Sequence, residues 1–108
     1  KIIPIECDIT SLDSINKAKE KILEKTNKLY AIVNLAGIFK MDTVYEGNPD
    51  KLKKIIDVNF FGGYNINQTF GKMLDGVGKR IINCTSELAG YSAIPFNGYY
   101  TLPKVLFV

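Results

Sequence analysis

Short apolar runs alternate along this chain with longer amphipathic stretches. Lys1 to Cys7 (K-I-I-P-I-E-C) reads as a short buried strand. Pro4 has no N–H to give a ladder, which confines that strand to a sheet edge or a strand start. From Leu12 to about Thr26, Leu12, Ile15, Ala18, Ile22 and Leu23 recur at helical spacing, with lysine and glutamate opposite and Ser11 or Thr10 placed to cap. Leu29 to Asn34 (L-Y-A-I-V-N) is a continuous apolar run of strand length, as expected of a strand buried on both faces of a parallel sheet. Asn48-Pro49-Asp50 predicts a helix start, with a capping amide, a proline at the first helical position and then an acid. Leu52, Ile55, Ile56, Phe60, Ile66, Phe70, Met73 and Leu74 carry a helical stripe from there to about residue 74. Gly62-Gly63 interrupts it at about 1 kcal/mol per glycine relative to alanine, which close packing of two helices or a kink would explain. Asp75-Gly76-Val77-Gly78 reads as a turn, and Arg80 to Thr85 as a third apolar strand that delivers Ser86.

Strand, helix, strand, helix, strand and a further helix start make an α/β pattern, with a parallel sheet and right-handed crossovers. Ligands of such sheets bind beyond the carboxyl ends of the strands. Asp8, the segment Asn34-Leu35-Ala36-Gly37 and Ser86 all fall at such ends. Small residues in that segment allow the backbone to approach a ligand or a neighbouring strand. The loop between Ile38 and Gly47 has no periodicity.

Composition removes several classes of function. A formal charge of +3 is too small for a nucleic-acid binder, and the lysines read as solvated helix faces, interleaved in the first helix with Glu20 and Glu24. No apolar run approaches the roughly 20 residues that span a bilayer, and no signal peptide opens the chain. Cys7 and Cys84 lie in predicted strands without CxxC spacing, and there is no histidine to complete a metal site. They are expected to be buried and reduced, as in a cytoplasmic protein.

Candidate chemistry gathers near the C-terminal end. Tyr100 and Lys104 are four residues apart, so a helix there puts phenol and ammonium on one face about one turn apart. A tyrosine with a reference pKa near 10 is available as an acid at neutral pH, but as a base it must be pulled down by about three units. An ammonium about 4 Å away at an effective dielectric near 20 supplies about 4 kcal/mol, which is of that size. A serine at a strand end facing such a pair is a carbonyl-reducing arrangement. Read singly, Tyr100 is a packing aromatic, Ser86 a strand-end hydroxyl and Asn59 a polar helix residue. Order and spacing together favour catalysis.

The set resembles the classical short-chain dehydrogenase/reductase family. Ser86, Tyr100 and Lys104 are similar to its Ser…Tyr-x-x-x-Lys signature, and Asn59 matches the fourth member of its catalytic tetrad. Asn34-Leu35-Ala36-Gly37 is similar to its Asn-Asn-Ala-Gly, and Asp8-Ile9 to the acid-plus-apolar pair that contacts adenine. The resemblance implies a partial Rossmann-type doubly wound sheet and a nicotinamide cofactor, NAD or NADP. Asp8, Ile9, Asn34, Ala36, Gly37, Tyr100 and Lys104 would then bind that cofactor. It implies hydride transfer to or from a small alcohol or carbonyl compound, with Tyr100 as acid/base. Lys104 would hold the ribose hydroxyls, Ser86 would orient the carbonyl, and Asn59 would position a water in a proton relay. The whole protein would be a homo-oligomer without nucleic-acid or membrane partners.

Departures from that pattern are specific. Leu35 replaces an amide, Ser86-Glu87-Leu88-Ala89-Gly90 is one residue longer than the common Ser-x-x-Gly, and Pro103 precedes the lysine. A proline there is harmless only within a helix's first turn. No G-x-x-x-G-x-G phosphate loop is present, so residues 1–108 are expected to be part of one NAD(P)-binding domain, from its third strand to the start of its sixth helix. In the strand order 3-2-1-4-5-6, only Leu29–Asn34 and Arg80–Thr85 should then pair with each other, leaving the first run unpaired. Such a piece alone is expected to be marginally stable, to bind dinucleotide weakly and to be inactive. Two other readings stand beside the oxidoreductase. One is a non-catalytic nucleotide-binding scaffold or regulator. The other is an epimerase or dehydratase sharing Tyr-x-x-x-Lys, against which the Asn-x-Ala-Gly segment and Asn59 argue.

Overall fold

Helix α1 spans Leu12–Leu23 and begins where the sequence places a cap: the Ser11 hydroxyl accepts from the Ser14 N–H at 3.2 Å. The computed structural model describes residues 1–39, 45–76 and 78–85. The helix stops about three residues short of the expected end, and the Thr26 hydroxyl then closes a turn, donating to the Lys28 carbonyl and accepting from the Lys28 N–H. Ile15 and Ala18 form its buried face.

Strand β1 (Ala31–Asn34) pairs in parallel with β2 (Arg80–Asn83), register Ala31 to Arg80 through Asn34 to Asn83. The Cys84 N–H donates to the Asn34 carbonyl at 3.0 Å and extends the ladder by one rung. Among the described residues this two-stranded parallel sheet is the pairing expected of an α/β fold missing its neighbouring strands.

Between the strands the chain is helical from Pro49 to Leu74, in four segments. Helix α2 (Pro49–Ile56) is capped by Asn48, whose side chain accepts from the Asp50 N–H at 2.8 Å, with Pro49 at its first position. A π-helical segment follows at Asp57–Gly62, then α3 (Gly63–Phe70), and a 3₁₀ turn at Gly71–Leu74. The glycine pair lies at the junction of π and α segments. At Gly62 the constraint is a close approach of a side chain. A Cβ on Gly62 would collide with Cδ1 of Ile9 and lie 2.7 Å from its Cγ1, so the glycine admits a loop side chain rather than a second helix.

Ile15, Ile32, Phe70 and Met73 make the core, with Cys7, Ile22, Leu29, Ile66 and Leu74 packed around it. Both α1 and β1 rest on α3. Main-chain bonds from the Leu29 N–H to the Met73 carbonyl (2.8 Å) and from the Arg80 N–H to the Tyr30 carbonyl (3.3 Å) fix the strands' entry. Gly76 and Gly78 take φ of 120° and 87° in the turn before β2, a region open to glycine at no steric cost.

Three expectations need correction. β1 is not buried on both faces: Ile32 is 7% exposed, but Val33 on the opposite face is 52% exposed, because no layer covers that side among the described residues. Residues 1–7 form no strand and are largely exposed. Burial nonetheless alternates there, half-buried at Ile5, Cys7 and Ile9 and exposed at Pro4, Glu6 and Asp8, the period of an extended chain without a ladder partner. The cysteines are not buried: Cys7 is half-buried, and Cys84 is exposed at the end of β2, which is uncovered along all four of its residues. Among the described residues, no helix is long and apolar enough to cross a membrane.

Candidate active-site cleft

Both strands run the same way in register, so the chain leaves them at one edge, with Leu35 and Ala36 beside Cys84. A cleft of about 190 Å³ opens there. Val33, Asn34, Leu35 and Ala36 line it from the first strand end, and Asn83 and Cys84 from the second. Asn59, Gly63 and Ile66 close it from the helix, and Ile9 from the loop before α1.

Asn59 is 2% exposed and is the one buried polar side chain among the described residues. Its Nδ2 donates to the Ile38 carbonyl (2.9 Å) and its Oδ1 accepts from the Ile38 N–H (2.7 Å). One amide thus satisfies both main-chain groups of a residue four beyond β1, which a loop at this depth otherwise leaves unpaired. The clasp holds the segment after Asn34 against the π-helical turn. Such i→i+5 turns inside α-helices are frequent at functional sites.

A second polar group sits at the strand ends. Asn34 Nδ2 donates to Asn67 Oδ1 and to Asn83 Oδ1, both at 2.8 Å, and Asn67 Nδ2 reaches Asn83 Oδ1 at 3.4 Å. Three amides from β1, α3 and β2 close a ring.

The loop before α1 is tied from both sides. Asp8 Oδ1 accepts from the Thr10 N–H (2.9 Å) and the Thr10 hydroxyl (2.7 Å), and the Asp8 N–H donates to the Ser14 hydroxyl (2.8 Å). The Thr10 hydroxyl and N–H hold the Asp8 carboxyl below its ordinary value of 3.8. Ile9 follows, its carbonyl accepting from Asn65 Nδ2 at 3.2 Å and its side chain lying over Gly62.

Of the residues expected at a site, Ile9, Asn34, Ala36 and Asn59 line this cleft, although 50 positions separate the first from the last. Asp8 and Gly37 do not line it. Ser86, Tyr100 and Lys104 lie outside the described residues, as do the lengthened serine loop and Pro103. Sequence reasoning missed Asn65, Asn67 and Asn83. The available signal was an asparagine within or beside an apolar stripe, where a helix pays for a polar residue only if it has a partner.

Apolar walls (Ile9, Val33, Ile66) and small residues (Ala36, Gly63) suit a flat ring, with amides at the rim for orientation. Sites that enclose a drug-sized ligand run to roughly 300–1,000 Å³. A dinucleotide would therefore be held here by only one of its parts. Among the described residues, no group of three or more His, Cys, Asp or Glu side chains could hold a metal ion.

Residues 1–104 match the family model described as short chain dehydrogenase. An uncharacterized oxidoreductase of Saccharomyces cerevisiae is 32% identical over 95 residues, covering 87% of this chain and 31% of that protein. An NADPH-dependent 1-acyldihydroxyacetone phosphate reductase of Schizosaccharomyces pombe is 28% identical, covering 93% of this chain and 34% of that protein. Among solved structures, a dehydrogenase/reductase from Sinorhizobium meliloti 1021 is similar with a TM-score of 0.88 at 26% identity, over 97% of this chain and 41% of that one. The chain spans about a third of the length of the curated relatives it matches. With a parallel sheet packed by helices, a cleft at its strand ends and a family match over nearly every residue, the chain belongs to the short chain dehydrogenase family.

Proposed function

We propose that the whole protein is an oxidoreductase that moves a hydride between NAD or NADP and an alcohol or carbonyl substrate. The observation that carries this reading is the convergence of Ile9, Asn34, Ala36 and Asn59 on one strand-end cleft. The name of the fission-yeast relative, an NADPH-dependent reductase, supports the cofactor class. Ile9 and Ala36 would flank part of the dinucleotide, and Lys104 would hold its ribose hydroxyls. When bound, the nicotinamide supplies or accepts the hydride.

The remaining work is done by this chain's own side chains. Tyr100 gives a proton to the developing alkoxide in reduction and takes one in oxidation, and the Lys104 ammonium lowers its pKa for the second task. Ser86, three residues past Asn83 in sequence, orients the carbonyl. Asn59 acts from its clasped position on Ile38, where it would place a relay water. These roles account for four residues whose order along the chain matches the family's tetrad.

Spectrophotometric assay of the full-length protein with NADH and NADPH over a panel of ketones, aldehydes and alcohols tests the reading. Tyr100→Phe should lower kcat by about 10²–10⁴-fold with dinucleotide affinity largely unchanged. Lys104→Ala should damage both. A Tyr100→Phe enzyme with near-normal kcat would sink the assignment of the acid/base.

A further inference from the structure

We propose that Asn67 is a positioning residue: it tethers the ends of both strands to the helix that carries Asn59, and so sets the width of the cleft. The main-chain ladder holds β1 to β2, but it does not hold either strand end to α3. The asparagine ring does. An amide nitrogen carries two N–H groups, and Asn34 spends one on Asn67 Oδ1 and the other on Asn83 Oδ1, each at 2.8 Å. Asn67 then turns its own Nδ2 toward Asn83 Oδ1 at 3.4 Å. Asn34 and Asn83 are register partners and both line the cleft. Asn67 itself stands behind that wall, eight residues along the helical stretch from Asn59.

The consequence rests on the functional reading above. Asn59 lies on the helical side of the cleft, and Asn83 and Cys84 line the strand side. Their separation depends on how far the strand ends stand from α3. Leucine at position 67 would fill similar volume, but would leave an Asn34 N–H unpaired and the helix free to shift. Aspartate would keep the acceptor for Asn34 Nδ2, but it would replace the longer N–H contact by a carboxylate oxygen facing Asn83 Oδ1. Displacements of about 1 Å far from the chemistry can cost about 10²-fold in rate.

The test uses the full-length protein and its Asn67→Leu and Asn67→Asp variants. Asn67→Leu should lose about 10- to 100-fold in kcat, with NADPH affinity by fluorescence titration held within about threefold. Asn67→Asp should recover part of the loss, since it keeps the acceptor for Asn34 Nδ2 and gives up the donor to Asn83 Oδ1. Independently of turnover, the side-chain amide protons of Asn34 should exchange slowly with solvent in the wild type and in Asn67→Asp, and faster in Asn67→Leu. A wild-type protein without turnover would remove the functional reading while leaving amide exchange to decide the tether. Unchanged Asn34 exchange in Asn67→Leu overturns the tether. Unchanged kcat in that variant, or equal losses in both, overturns the positioning role.

Discussion

Residues 1–7 and residues 29–34 read alike as apolar strand-length runs, and the folded chain treats them in opposite ways. In the second run Ile32 is 7% exposed, its strand pairs with β2, and α3 packs against it. In the first, Ile2 is 91% exposed, and the described residues offer its main chain no ladder. Intrinsic apolarity does not separate them. What separates them is whether a partner strand and a covering helix come from elsewhere in the chain. Strand propensity measures fit to a pleated, half-buried surface, and here only one run has such a surface to fit. The alternation at Ile5, Cys7 and Ile9 is what the first run keeps of its strand character.

That contrast can be broken or sharpened by substitution. The largest effect is expected at Ile32→Ala, which opens a cavity between α3 and β1 at a cost of about 2–5 kcal/mol in urea unfolding. A cost below about 1 kcal/mol would mean that the sheet is as loosely held as residues 1–7. Next comes Gly62→Ala, which drives a methyl into Ile9 and should cost about 1–3 kcal/mol by overpacking. The double variant with Ile9→Ala should recover part of that loss; strict additivity of the two would show that Ile9 and Gly62 do not touch. The smallest effect is expected at Ile2→Ala in the 108-residue chain, within about 0.5 kcal/mol of the parent because that side chain is already exposed. A loss as large as that at Ile32 would show that residues 1–7 are covered in solution, and the contrast between the runs would vanish.

The two polar arrangements beside the cleft differ in legibility for a related reason. The caps at Ser11 and Asn48 are local: residue type and apolar spacing agree within four positions, and at Asn48 the following proline agrees as well. They were readable before any fold was known. The Asn59 clasp joins positions 21 apart and the asparagine ring positions 16 to 49 apart. No local rule announces either one. Asn59 was noticed because its surroundings resemble a family pattern, whereas Asn67 belongs to no motif quoted from the sequence and emerged only from contact.

By itself, then, the chain's pattern of apolar and polar positions marked α1, the helical stretch after Asn48 and the two later strands, while ordered motifs marked the strand-end segment Asn34 to Gly37 and the family resemblance, whose strand order gave the pairing. Each of these rests on periodicity, capping chemistry or ordered motifs that are written in neighbouring residues. Tertiary structure alone decided that Gly62 makes room for Ile9, that the helix takes a π turn around Asn59, and that three distant asparagines close a ring. Those outcomes depend on which surfaces meet across the chain, and a side chain's partner 20 to 50 residues away leaves no mark on its immediate neighbours.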